Sequence, residues 1–281
     1  MPASLAVLLV LFAPNISSSA GLKPETLAAW DQYIETVDAR VKSAVAGDSA
    51  FLWIDEQPGQ AQRLQHGEVI VSQIKVRRAV SHGLIHHWVG AAFIPNTTLA
   101  DVLAVAHDYE EFPIWYAPTV SQANLLGRSG DEDRFTIRYV STVLWVTAVL
   151  DVESVAHYFQ VDSTRWYSTA RSARIQEVHE YGQPAEHKTP PDDGNGYLWR
   201  AYGVSRYQQR DNGVYIEQES IGLSRQIPAA LQWMVEPAVR RLSRDLLVKS
   251  LRQTREAVRL KSADKPASTS ASGMSSQKFK D

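Results

Sequence analysis

The chain has 281 residues and no cysteine. This excludes disulfides, thiolate metal sites and a cysteine nucleophile. An excess of one charge is also missing. The formal net charge is −2, so no global field favours nucleic acid or an acidic membrane. Long uncharged apolar runs are scarce, and the block Leu5–Ala13 is about half the ~20 residues that cross a bilayer. There is no His-Glu-x-x-His, no Gly-x-Ser-x-Gly elbow and no glycine-rich phosphate cradle. The eight histidines lack metal-ligand spacing, so neither a metal nor a cofactor is expected. Asp192-Asp193-Gly194-Asn195-Gly196 has the composition of a calcium loop without its downstream Glu, and reads as a turn.

Apolar and aromatic residues are plentiful: 44% apolar, with 8 Trp, 11 Tyr and 7 Phe. That supports one sizeable core with extensions. Leu5–Ala13 followed by Ser17–Ala20 reads as an export signal over residues 1–20, cleaved near Ala20. Lacking a cysteine at that site, the exported chain would be free rather than lipid-anchored. Residues 21–80 read as an N-terminal helical extension. Its helix, Lys23–Val45, carries a stripe of Leu27, Trp30, Ile34, Val37 and Val41, with Pro24 in the first turn and Gly47 as the stop. Trp30 and Ile34 should pack on the main domain, since a lone helix of this length is marginal in water. Phe51–Ile54 suggests a short strand, Gln57–Gly67 a loop, and Val69–Val76 a strand or connecting arm.

The main domain is expected over residues 81–260. Leu84–Ile94 is a strand candidate. Thr98 and Asp101 have capping-box spacing ahead of Leu99, Val102, Leu103 and Val105. Pro113 should stop or kink a helix within His107–Tyr116. Strand candidates follow at Thr119–Leu126, Asp133–Leu144, Trp145–Gln160, Arg165–Glu180, Tyr197–Gln208 and Gly213–Ser224, several separated by turn-forming residues. A long helix then runs from Pro228 to about Leu260, its apolar residues mostly three or four apart. Pro237 should bend it between Trp233 and Pro237, setting Trp233 and Met234 at one end of the core. Residues 261–281 are too polar to offset their ordering entropy and read as a disordered tail. The fold class is α+β: a curved antiparallel sheet of about six to seven strands wrapped on a long C-terminal helix, with two short helices after the first strand.

This order resembles the START-like, or helix-grip, superfamily, which includes the polyketide cyclase/dehydrase and lipid-transport proteins. Asp101–Tyr116, the Gly213–Ser224 arm and Ile227–Val258 carry the resemblance. It implies a cavity between sheet and closing helix that holds lipids, quinones or aromatic molecules.

Aromatic and charged residues in the strands are the candidates for such a pocket. The set is Arg138, Tyr139, Trp145, Trp199, Tyr202, Tyr215 and Glu217, with Trp233 on the closing helix. His86 and His87 adjoin in one strand and must face opposite sides. The leading expectation is an exported protein that binds a hydrophobic small molecule or lipid without catalysis. One rival is a cyclase/dehydrase-like enzyme, with His107, Glu110 and Glu217 as first suspects. Another is an interaction module with a collapsed pocket. The arginines of the closing helix allow a weak contact with anionic lipid headgroups.

Overall fold

The computed structural model describes residues 21–76, 80–143, 146–227 and 229–263. Residues 1–20, where an export signal is expected, Trp145 and residues 264–281 lie outside them. One antiparallel sheet dominates. Its strands are β1 (Val69–Gln73), β2 (Gly83–Pro95), β3 (Val120–Ser129), β4 (Glu132–Val143), β5 (Val146–Gln160), β6 (Arg165–His179), β7 (His187–Lys188), β8 (Arg200–Arg210) and β9 (Gly213–Arg225). The order across the sheet is β1-β2-β9-β8-β6-β5-β4-β3, with β7 paired to β6. The helices are α1 (Pro24–Ala46), α2 (Gln60–Gln65), α3 (Leu99–Ala106), α4 (Phe112–Trp115) and α5 (Ala229–Ala263). This is a helix-grip arrangement, with two strands beyond the expected six to seven.

Local chemistry explains most elements. Gly47 ends α1 in the left-handed conformation at φ 89°, where a glycine pays no steric penalty. Thr98 and Asp101 form a reciprocal capping box at the start of α3. Pro113 opens α4 rather than ending a helix, since its missing N–H costs nothing in a first turn. Asp211 and Asn212, both with φ near 55°, make the two-residue turn between β8 and β9. Register shifts in β3 and β6 add bulges that bend the sheet.

Of the two readings open for Val69–Val76, the strand is the one that forms, while two other segments of the extension differ from their sequence reading. Val69–Gln73 is a strand that pairs with β2 and forms one edge of the sheet. Phe51–Ile54 gives way to a 3-10 turn over Trp53–Glu56, and Gln60–Gln65 is helical. Packing decides these segments: Phe51, Leu52, Ile54 and Leu64 are buried in one cluster with Ile70, Ala91, Phe93 and Tyr215.

The register assigns the two faces of the sheet. Odd residues of β2 and β9, and even residues of β8, share the convex face. The extension covers that face. Trp30, Ile34, Val37 and Val41 of α1 pack there against Ile85, Trp199, Tyr202, Val204, Ile221 and Leu223. Full burial of such side chains contributes about 1.5–3 kcal/mol each.

An ionic cluster lies in the same interface. Arg206 Nη1 donates to Glu217 Oε1 at 2.9 Å and to Glu219 Oε1 at 2.6 Å. Glu219 also accepts from both Arg40 guanidinium NH2 groups, at 2.9 and 2.5 Å, and His87 Nε2 lies 3.1 Å away. Burial pushes the Tyr33 hydroxyl up to about 12, and its oxygen lies 2.7 Å from His87 Nδ1. Burial alone would raise the Glu219 carboxyl, but Arg206, His87 and Arg40 outweigh it and hold it well below the usual range. Burial pushes Glu217 up to about 7, because Arg206 offsets only part of the desolvation.

Removing one partner of a buried pair strands the others. Glu219→Gln should therefore lower unfolding stability by about 3–5 kcal/mol, read by urea denaturation. Glu217 has the opposite sign. Its folded value near 7 exceeds the ordinary 4.5, so the folded state keeps a proton that the unfolded chain releases. Stability should fall as pH rises between those values, and Glu217→Gln should flatten that part of the curve. A wild-type minus variant difference that is level from pH 4.5 to 7 would refute the assignment.

Candidate functional site

The concave face is built differently. Its centre carries small residues. Along one cross-strand row lie Tyr158, Ser168, Ser205, Gln218 and Gly90. The next row is Ala156, Ala170, Gly203, Ser220 and Trp88. All ten are buried. Bulkier side chains stand around this centre: Trp88, Phe135, Tyr139, Tyr158 and Tyr207, with Tyr116 after α4. The helix α5 packs along β1 and β2, and its approach is close. A Cβ added at Gly90 would meet Leu251 Cδ1 at 2.8 Å and Leu247 Cδ2 at 3.1 Å, so glycine is required for this crossing.

Several polar atoms on this face lack a partner. Trp88 Nε1 and Ser154 Oγ are fully buried with no hydrogen bond. The hydroxyls of Ser168, Ser205 and Tyr207 have one another as neighbours, none in bonding geometry. Burial pushes the Tyr207 hydroxyl up to about 12. His86 also faces this side. Its Nε2 lies 2.9 Å from Ser224 Oγ, and burial, with help from Arg240, pushes the imidazole down to about 3, so it is neutral. Unsatisfied buried groups also occur on the convex side, at Trp30 Nε1, Trp199 Nε1 and Glu217 Oε2. There they are wedged among large side chains. On the concave face they lie on or beside a field of methyl- and hydroxyl-sized groups. The arrangement suits a mostly apolar molecule with a few oxygen atoms: neutral donors, no fixed charge and small residues beneath.

A second polar group lies at one margin. Asp133 accepts from Arg128 Nε at 2.5 Å and Nη2 at 2.8 Å, and from the Tyr109 hydroxyl at 3.1 Å. His107 Nδ1 is 2.8 Å from the same carboxylate. Burial would raise Asp133, but His107 and Arg128 hold it far below the usual range. The Tyr109 and Tyr158 hydroxyls are 3.1 Å apart, and the His107 ring stacks on Tyr158 with centroids 3.9 Å apart. A hydrogen-bonded chain thus links Tyr158, on the concave face, to the part-exposed His107.

The residues expected to bind ligand do not form one site. Tyr139 is buried on the concave face. Arg138 projects from the opposite face of β4, bound to Asp151 at 2.6 Å and Glu186 at 2.9 Å. Trp199 and Tyr202 pack under α1, and the Tyr202 hydroxyl donates to Asp38 at 2.5 Å. The Tyr215 hydroxyl donates to Asp211 at 2.9 Å and accepts from Gln65 at 2.8 Å. Glu217 belongs to the convex ionic cluster. Trp233 is 78% exposed on α5, not at the core end of that helix. Met234 has no described side chain, and Pro237 lies inside an unbroken α5. Of the three suspects for an enzyme, His107 meets Asp133 rather than Glu110 or Glu217, and Glu110 is exposed. His86 and His87 do face opposite sides. The loop at Asp192–Gly196 wraps a carboxylate instead of a cation: Asn195 and Tyr197 donate to Glu177. Among the described residues no group of three His, Asp or Glu side chains could hold a metal.

Aromatic content alone could not find the concave set. Alternation could have: Gln218, Ser220, Gly222 and Ser224 interleave with Glu217, Glu219, Ile221 and Leu223, which assigns small groups to one face and large or charged ones to the other.

No family model and no curated protein matches the chain. Solved structures do. A STAR-related lipid transfer protein fragment from Xanthomonas axonopodis is 18% identical, with a TM-score of 0.42, covering 67% of this chain and 98% of its own. Human STARD10 is 12% identical with a TM-score of 0.44, covering 72% and 79%. The Zhui aromatase/cyclase from Streptomyces sp. R1128 is 10% identical with a TM-score of 0.41, covering 63% and 94%.

The orphaned hydroxyls generate a stability prediction. Ser154→Ala and Ser205→Ala should each raise the stability of ligand-free protein by about 1 kcal/mol, since a buried hydroxyl without a partner is a cost. Ser172→Ala should lower it by about 1 kcal/mol, because its Oγ accepts the Ala201 N–H at 3.0 Å. Urea denaturation of the three variants checks the contrast. The strand order, the short helices after β2 and the long closing helix together fit a START-like fold.

Proposed function

We propose that this protein binds a hydrophobic small molecule, a lipid, quinone or aromatic, between the concave face of the sheet and α5, and does no chemistry on it. The observation that carries the reading is the buried field of small residues with unpartnered Trp88, Ser154, Ser168, Ser205 and Tyr207 atoms. A bound molecule would fill the space that small side chains leave and give these donors an acceptor. The block Leu5–Ala13 with Ser17–Ala20 supports export as part of the proposal, tested by N-terminal sequencing of secreted material.

Native mass spectrometry of protein purified from its host tests the binding. A co-purified mass removable by organic extraction is expected, with stabilisation on adding it back. Ala170→Phe should abolish that mass while leaving the circular dichroism spectrum intact. A clean apo mass, with no thermal shift across lipids and quinones, sinks the reading. If Ala170→Phe unfolds the protein, the concave face is a packed core and the interaction-module reading gains.

One observation favours an enzyme as the second reading. Asp133 orients His107, and tyrosine hydroxyls connect the pair to the concave face. A general acid/base needs that kind of support. The test is whether a bound ligand is chemically altered by wild type and not by His107→Gln.

A further inference from the structure

The outer face of α5 combines two features that the fold does not need. Residues 233, 237, 240, 241 and 244 recur at helical spacing and are all exposed. Val239, Ser243, Leu247, Leu251 and Thr254 form the opposite, buried stripe. The exposed stripe begins with Trp233, the most exposed of the large apolar side chains, and continues with Arg240, Arg241 and Arg244. A single exposed apolar side chain is ordinary; an indole on the same face as three arginines is the combination that matters.

Charge separates this helix from the rest of the chain. From Ala229 to Ala263 it holds eight Arg or Lys and three Asp or Glu, a formal +5 in a chain of −2. The remainder is therefore −7. The acidic neighbours do not occupy the arginines firmly. Glu236 pairs with Arg240, and Asp245 is 3.2 Å from Arg244 and 3.7 Å from Arg241, whose side chain is 86% exposed. Exposed pairs of this kind contribute little and exchange readily for another anion.

We propose that this face docks the protein on an anionic lipid bilayer, with Trp233 at the boundary between headgroups and acyl chains and Arg240, Arg241 and Arg244 on the phosphates. A tryptophan suits that boundary because its ring is apolar and its N–H is polar. Arginines about two and three turns further along the same face reach the headgroup layer. A nucleic-acid duplex, its bases already stacked, would use the arginines and leave Trp233 idle, whereas a bilayer uses both. The proposal does not depend on what the concave face holds.

Co-sedimentation of the full chain with vesicles tests it. One set is phosphatidylcholine alone, and the other is equal parts phosphatidylcholine and phosphatidylglycerol. Binding is expected only to the anionic set, and it should weaken as salt is raised. Replacing the three arginines by glutamine should reduce partitioning at least tenfold, given roughly fivefold per basic residue near an anionic surface. Trp233→Ala should reduce it severalfold at every salt concentration. Arg134→Gln, on the outer face of the sheet, should change nothing. The substituted side chains are exposed, so melting curves should coincide with wild type. Three results overturn the proposal: no binding to anionic vesicles, binding indifferent to Trp233→Ala, or tighter binding to duplex DNA than to the vesicles.

Discussion

The structure depends on how Arg206 is buried. A guanidinium taken out of water demands carboxylates close by, and Glu217 and Glu219 on the neighbouring strand supply them. Two carboxylates against one arginine leave an imbalance. Arg40, from α1, corrects it, and Tyr33 and His87 complete the hydrogen bonds. The cluster is therefore complete only when the N-terminal helix lies on the sheet. A segment that looks like an optional extension in the sequence supplies a counter-charge to the centre of the sheet. Apolar burial of Trp30 and Ile34 holds the same helix, and the ionic cluster fixes its register, because Arg40 must reach Glu219.

This constraint also determines which face of the sheet can be open. A conventional curved sheet can leave its convex face to water, and charged residues in its strands would then point outward. Here the charged residues of β8 and β9 point outward into a second layer. The same alternation that sends Arg206, Glu217 and Glu219 to the convex side leaves Ser205, Gln218 and Ser220 on the concave side. One face is filled with charges that pair with each other, with Glu217 Oε2 and Arg206 Nε left without a partner. The other is neutral, small-featured and short of hydrogen-bond partners. A ligand site built there avoids strong fixed charges and favours molecules that are mostly apolar.

Periodicity made the helices legible. The stripes of α1 and α5 and the capping box of α3 are local signals, and the structure follows them within a residue or two. The turn at Asp211–Asn212 was legible for the same reason. The identity of the ligand-facing residues was not. Tyr202, Tyr215 and Glu217 read as pocket residues because aromatic rings and buried charges often line pockets, and nothing local to β8 or β9 announces that α1 and α2 cover them. The short helix at Gln60–Gln65 was hidden similarly, since its state is decided by packing in the cluster with Ile70, Ala91 and Phe93. Asp133 passed unnoticed because its partners, His107 and Arg128, meet it only after the sheet has formed.

The hydrogen-bonded chain from Tyr158 to His107 connects the concave face to the surface at a margin away from α5. Tyr109 sits at its middle, fully buried and joined to Asp133. Burial raises the Tyr109 and Tyr158 hydroxyls well above the ordinary phenol value, so both stay protonated. Asp133 stays ionised because Arg128 and His107 neutralise it. As built, the chain holds fixed protons and anchors α3 to β4 and β5. That is the behaviour of a structural clamp at the margin of a binding surface. Proton traffic along it would require a ligand that changes the balance at Tyr158, because both tyrosine hydroxyls hold their protons firmly.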